Sequence, residues 1–148
     1  RVTAVRLPNQ RAIIDRRALA ETVAALHEAD PICFRPKVVA ALKDALSRGR
    51  EELERRLLAK PAAGHEITGG HAFLLDQLIR VIFEHATTHL YPAPNRTAAE
   101  RIAVLAVGGY GRAEICPRSD VDIAFVIPQR DAPWCEPCSI CCGTWASK

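Results

Sequence analysis

The feature that most constrains this chain is a change of hydrophobic period close to residue 100. Before it, apolar residues return at helical spacing; after it, they form two short runs separated by a glycine-rich turn. Leu19, Val23 and Leu26, with Ala between them, predict a helix over 12–29, stopped at Asp30-Pro31. A second helix is predicted over 36–60, from Pro36 through Val38, Val39, Leu42, Leu46, Leu53, Leu57 and Leu58. Its polar middle, Ser47-Arg48-Gly49-Arg50, is where a kink or break is expected. Pro61-Ala62-Ala63-Gly64 reads as a linker, and Phe73, Leu74, Leu78, Val81, Ile82, Phe83 and Leu90 predict a third helix over 69–90, ended by Tyr91-Pro92-Ala93-Pro94. The runs 101–107 and 121–127 then read as strands. The fold class is therefore α+β: a helical lead-in over 1–95, and the start of a second domain over 96–130.

Composition narrows the partners. At 148 residues, 49% hydrophobic and 25% charged, the chain has the make-up of about one globular domain, which excludes collagen-like, low-complexity and wholly disordered readings. Only 5% is aromatic, so Leu, Ile, Val and Ala must fill the core. A net charge of +3 is too small and too evenly mixed for a nucleic-acid stripe or a polybasic anchor. No apolar run approaches the ~18 residues of a membrane span, and the first residues lack a signal core. No nucleic acid and no membrane are expected as partners, and the expected location is cytoplasmic. The sequence contains no Met, which fits a piece of a longer chain.

The chemistry concentrates in Val107-Gly108-Gly109-Tyr110-Gly111-Arg112-Ala113-Glu114-Ile115-Cys116-Pro117-Arg118-Ser119-Asp120-Val121-Asp122-Ile123. On a strand, Asp120 and Asp122 would share one face, about 7 Å apart. Two carboxylates on an apolar strand repel each other and lose solvation, and a divalent cation between them relieves both costs. Mg²⁺ suits such a site, because it takes one or two carboxylates and completes its shell with water and phosphate oxygens. Backbone N–H groups at Gly108 and Gly109, unobstructed by side chains, can approach a triphosphate closely. A phosphate site beside a metal site is what nucleotidyl transfer needs. Taken singly, a Gly-Gly turn or an Asp-x-Asp pair is more often only structural; their co-occurrence between two predicted strands favours the functional reading. Arg112 and Arg118 are further candidates for steering phosphates. His85 and His89, four residues apart without an HExxH pattern, read as surface or packing residues.

This block resembles the signature of the polymerase-β-type nucleotidyltransferase superfamily, and its fuller string is similar to bacterial PII uridylyltransferases. Asp76-Gln77-Leu78-Ile79-Arg80 and the stretch from Tyr91 to Glu100 resemble the helical approach to that domain. The resemblance implies transfer of UMP from UTP, with Mg²⁺, to a tyrosine of the nitrogen-signalling protein PII. It also implies hydrolytic removal of that UMP, and control by glutamine, through parts of the enzyme absent from this chain. By position, Asp120 and Asp122 would bind Mg²⁺ and carry catalysis, Gly108 and Gly109 would contact the triphosphate, and Ser119 and Arg112 would help to hold it. Two departures are visible. Ala113 stands where the family usually has Gly, which strains the loop if that position needs a positive φ. After Asp122 the only acids are Asp131 and Glu136, neither placed as a third metal ligand. The chain by itself is therefore expected to be inactive. A glutamine-synthetase adenylyltransferase of the same superfamily is one alternative, and a non-enzymatic helical or Cys-rich metal-binding module is another.

The end of the chain breaks the pattern. Four of six cysteines crowd into Cys135-Glu136-Pro137-Cys138-Ser139-Ile140-Cys141-Cys142, with spacing unlike a zinc ribbon's two separated pairs. A shifted reading frame accounts for it better: Cys codons begin with TG, and moving the frame back one base makes codons ending in TG, which encode aliphatic residues or Met. Residues 131–148 are accordingly expected to be an out-of-frame tail.

Overall fold

A computed structural model describes residues 7–61, 64–92 and 102–126. The elements run α1 (Gln10–Ile13), α2 (Arg16–Ala29), α3 (Phe34–Ala59), α4 (Gly64–His85), a π-helical turn (Ala86–Leu90), β1 (Ala103–Ala106), α5 (Gly108–Gly111) and β2 (Ile123–Val126). The α+β expectation holds, with helices preceding a two-stranded antiparallel sheet.

Each helical boundary has a local cause. The helix predicted over 12–29 is two helices, because Asp15 takes the N-cap of α2 and accepts hydrogen bonds from the N–H groups of Arg17 and Ala18, both at 3.2 Å. Asp30 accepts from the Cys33 N–H at 3.0 Å, turning the chain into α3. Pro36 sits in the first turn of α3, where its missing N–H costs nothing. Gly64, predicted to lie in the linker, instead opens α4. The helix expected to reach residue 90 keeps α geometry to His85 and widens into the π-turn beyond it.

No break occurs at Ser47-Arg48-Gly49-Arg50, and α3 is continuous. Ser47, Arg48 and Arg50 face solvent while Gly49 is buried. A Cβ on Gly49 would stand 2.6 Å from Leu74 Cδ1 and 2.9 Å from the Ile13 carbonyl oxygen. Gly70 on α4 receives Leu53 of α3 in the same way, too tightly to admit a Cβ. Two Gly-x-x-x-Leu stretches, Gly49–Leu53 and Gly70–Leu74, thus interlock, each glycine receiving the other helix's leucine. The glycine that suggested a weak point is one of the two where α3 and α4 interlock.

The main core gathers Ile13, Ile14, Leu19, Val23, Phe34, Val38, Ala45, Leu53, Ile67, Leu74, Leu78 and Val81 from α1 to α4 and the α1–α2 junction. Polar ties close its ends. Arg16 meets Glu84 at 2.7 Å, joining α2 to α4, and Arg56 donates to the carbonyls of Pro8 and Asn9 at 2.8 and 3.0 Å.

The strands are shorter than predicted. β1 covers 103–106 within the expected 101–107, and β2 covers 123–126 within 121–127. Residues 101 and 127, Ala93 and Pro94 of the expected helix stop, and the whole tail over 131–148 lie outside the described residues. Ala103 pairs with Val126, Val104 with Phe125, Leu105 with Ala124 and Ala106 with Ile123.

Candidate functional site

The glycine turn lies where β1 ends. Val107 is extended, and Gly108–Gly111 form the single turn α5. Gly108 has φ +56°, a left-handed conformation that a side chain disfavours. A Cβ there would also stand 2.9 Å from Asp122 Oδ2. The absent side chain of Gly108 is therefore what makes room for the Asp122 carboxylate. Gly111 is required for a different reason: its Cβ would meet the Ala106 carbonyl oxygen at 2.7 Å as the chain doubles back on β1.

Both aspartates lie just before β2 rather than within it, which corrects the placement of Asp120 and Asp122 on a strand. Pairing nevertheless reaches Asp122, whose carbonyl accepts the Val107 N–H at 3.1 Å. That bond fixes the backbone of Asp122 against the start of the glycine turn. Asp120 and Asp122 are both exposed, so their carboxylates keep access to water and to solutes.

A small second core holds this assembly to the helices. Tyr110 and Ile115 are buried against Ala72, with Leu75 and Ile79 of the same α4 face and Ala113 packed around them. Burial pushes the Tyr110 phenol up to about 12; Asp76 adds to the rise and Arg80 opposes it. Tyr110 is thus a neutral anchor, a role its position between glycines in the motif did not reveal. Ala113 adopts φ 58°, the strained conformation that its replacement of a glycine made a concern. Two hydrogen bonds brace it: its own N–H to the Tyr110 carbonyl at 3.0 Å, and the Glu114 N–H to the Gly109 carbonyl at 2.9 Å.

The remaining candidates are placed as follows. Gly109 follows Gly108 in the first turn of α5. Arg112 Nε lies 3.3 Å from Glu114 Oε2, an exposed ion pair beside the turn. Ser119 closes its own loop, since its N–H and its hydroxyl both donate to the Cys116 carbonyl, at 3.1 and 3.0 Å. Its hydroxyl proton is spent there while its oxygen can still accept. Arg118 is exposed. Beneath this loop, Arg50 of α3 and His71 of α4 line a narrow crevice with Cys116, Ser119 and Val121. Burial lowers the His71 pKa, and the Arg50 cation lowers it further. On the other side, an open cleft of ≈ 280 Å³ separates α4 from the sheet, with Asp76, Arg80 and Tyr110 at its polar edge and Val104, Ala106 and Ile123 at its floor.

Among the described residues no three His, Cys, Asp or Glu side chains gather as a metal-ligand set. The site contributes two carboxylates, a hard-oxygen pair of the kind Mg²⁺ takes when water and phosphate supply its other ligands. No helix among the described residues is long and apolar enough to cross a membrane.

Comparison with known proteins shows the family of the chain. The family described as "Putative nucleotidyltransferase DUF294" matches residues 47–140, which include α4, the glycine turn and both aspartates. The chain is 62% identical over 135 residues to a bifunctional uridylyltransferase/uridylyl-removing enzyme of Erythrobacter litoralis, covering 91% of this chain and 15% of that protein. Proteins of the same description from Novosphingobium aromaticivorans and Rhodospirillum rubrum are 56% and 42% identical, over 88% and 89% of this chain and 14% of each relative. The chain therefore spans about one-seventh of the length of these relatives. No solved structure matches it.

Proposed function

The chain belongs to the DUF294 nucleotidyltransferase family, and from that premise we propose that it carries the phosphate- and metal-binding half of a uridylyltransferase site. The observation that carries the reading is the seating of Asp122 Oδ2 in the space left by the missing side chain of Gly108. It brings a carboxylate against a turn whose first N–H groups have no intrahelical partner. Asp120 and Asp122 bind Mg²⁺, Gly108 and Gly109 receive the triphosphate of UTP through their backbone N–H groups, and Ser119 and Arg112 flank it.

The reaction is attack of a tyrosine oxygen of the PII protein on the α-phosphorus of UTP. The phenol proton leaves to solvent, a phosphodiester bond forms to the tyrosine, the bond from the α-phosphorus to the oxygen bridging it to the β-phosphate breaks, and pyrophosphate departs. Mg²⁺, when bound, neutralises charge on the phosphates. The protein's own part is to hold the phosphates and the metal in register, because phosphoryl-type transfer depends mainly on positioning. The names of the relatives support the uridylyl group and its removal. Removal of UMP and the glutamine response belong to a longer enzyme, and a cytoplasmic location suits these solutes.

The test is UMP transfer from labelled UTP to PII. This chain alone should give none. A chimaera in which residues 10–126 replace the matching segment of the Erythrobacter enzyme should be active. In it, Asp120→Asn or Asp122→Asn should each lower transfer by about 10² or more, in the range of lost electrostatic stabilisation. Transfer by the isolated chain, or a fully active Asp122→Asn chimaera, would contradict the proposal.

A further inference from the structure

Far from the glycine turn, three imidazoles meet where α4 runs into the π-turn. His27 near the end of α2, His85 at the end of α4 and His89 in the π-turn have ring centroids 5.1, 5.4 and 5.0 Å apart in their three pairings. Phe34, the first residue of α3, packs on two of them, 4.4 Å from His27 and 5.7 Å from His85. The cluster thus joins the ends of α2 and α4 through the start of α3. Two ring nitrogens inside it, His27 Nδ1 and His85 Nε2, are buried with no hydrogen-bond partner among the described residues.

A metal reading of the cluster fails, since no three side chains among the described residues direct their donor atoms at a common ion. What the packing does control is protonation. A neutral imidazole can leave a nitrogen lone pair buried at modest cost, but an imidazolium carries N–H on both nitrogens and would bury a charged donor without an acceptor. A first imidazolium would also repel a second about 5 Å away. The charged groups adjoining the cluster in sequence are Glu28 beside His27, Arg35 beside Phe34 and Glu84 beside His85; of these, Glu84 is engaged by Arg16 of α2. Burial lowers the pKa of His85, and His89 and His27 lower it further.

We propose that His27, His85 and His89 form a proton-operated clasp: when neutral, they fasten the π-turn end of α4 to α2, and when protonated they release it. The π-turn is a departure from α geometry at the end of α4. Thr87 ties it to α4 by donating to the Phe83 carbonyl at 2.9 Å. Among the described residues, the imidazole contacts join it to α2 and α3, and Leu90 packs at the margin of the main core.

The experiment is an NMR titration of the whole chain, following the imidazole carbon-bound protons and the exchange protection of the amides from Thr87 to Tyr91. Below the ordinary histidine pKa of 6.5, their protection should fall about tenfold per pH unit for each proton taken up on opening. His71→Gln should leave that local slope in place, because His71 lies about four turns, roughly 21 Å, before His85 along α4, near Arg50 of α3. His27→Gln combined with His85→Gln should flatten it. Protection of Thr87 to Tyr91 that does not change with pH overturns the clasp. So does an unchanged slope in the double variant, or stoichiometric zinc binding that shifts all three imidazoles. Should the double variant not fold, the slope of the unaltered chain decides alone.

Discussion

Leu74, in the middle of α4, is 0% exposed, whereas Leu105, in β1, is 49% exposed. The same side chain thus has opposite standing in the two regions of the molecule. The helices bury a continuous core, but among the described residues the sheet has two strands and leaves Leu105, Ile123, Phe125 and Val126 substantially open to solvent. A lone pair of strands is marginal in water. Here it gains its position from Tyr110 and Ile115, which fasten the glycine turn to α4. The comparison teaches that the buried core resides in the helices and the candidate site in the turns that flank the sheet, with one small apolar contact carrying position from one to the other.

The comparison is broken most directly by shortening its two leucines. Leu74→Ala should cost about 2–5 kcal/mol, read as a lowered denaturant midpoint, because it opens a cavity where two helices interlock. If the loss were under 1 kcal/mol, the interlock would not be the centre of the core. Acid should act next, also on the helices. His71 and His85 are held below 6.5 in the folded chain, so the unfolded chain binds more protons beneath that value. Stability is therefore complete above pH 6.5 and declines as pH falls below it. Glu52, held down to about 2 from 4.5 by Arg55 and then by Arg56, adds a second decline as pH falls from 4.5 towards 2. Urea unfolding at about pH 7.5, 5.5 and 3 should show both steps, and His71→Gln should shrink only the first.

On the sheet side the expected effects are smaller. Ala113→Gly should stabilise the chain by about 0.5–1 kcal/mol, the relief of left-handed strain less the added freedom of glycine when unfolded. Loss of stability instead would show that the Ala113 methyl contributes more to the small core than its strain costs. Leu105→Ala should change the unfolding free energy by less than about 0.5 kcal/mol, as expected of an exposed position without a special role. A loss comparable to that of Leu74→Ala would erase the distinction between the two regions.

Much of this was readable in the sequence, and the exceptions have physical causes. Period identified the helical stripes, since Leu19, Val23, Leu74, Leu78 and Val81 all point into one core. The glycine turn and the two acidic residues were found by residue type, and the fold brings Gly108 and Asp122 together. The strands were drawn too long because the apolar run continues beyond the paired residues, leaving Val121 and Asp122 ahead of β2. Gly49 was misjudged because its polar neighbours describe the solvent face, whereas its burial depends on Leu74, a residue on another helix. His85 and His89, read as surface or packing residues, are half-buried and exposed respectively, but their meeting with His27 depends on how α2 meets the end of α4, which local spacing does not encode.

The paired glycines of α3 and α4 have one more consequence, for measurement rather than strength. Gly49 admits Leu74 and Gly70 admits Leu53, so sliding one helix by a turn along the other would set leucine against leucine in one direction and glycine against glycine, leaving a gap, in the other. The two axes therefore share a fixed zero. Ala72, on which Tyr110 rests, lies between Gly70 and Leu74, inside that mark. Two missing methyl groups in the helices thus act as the gauge from which the height of the glycine turn is set.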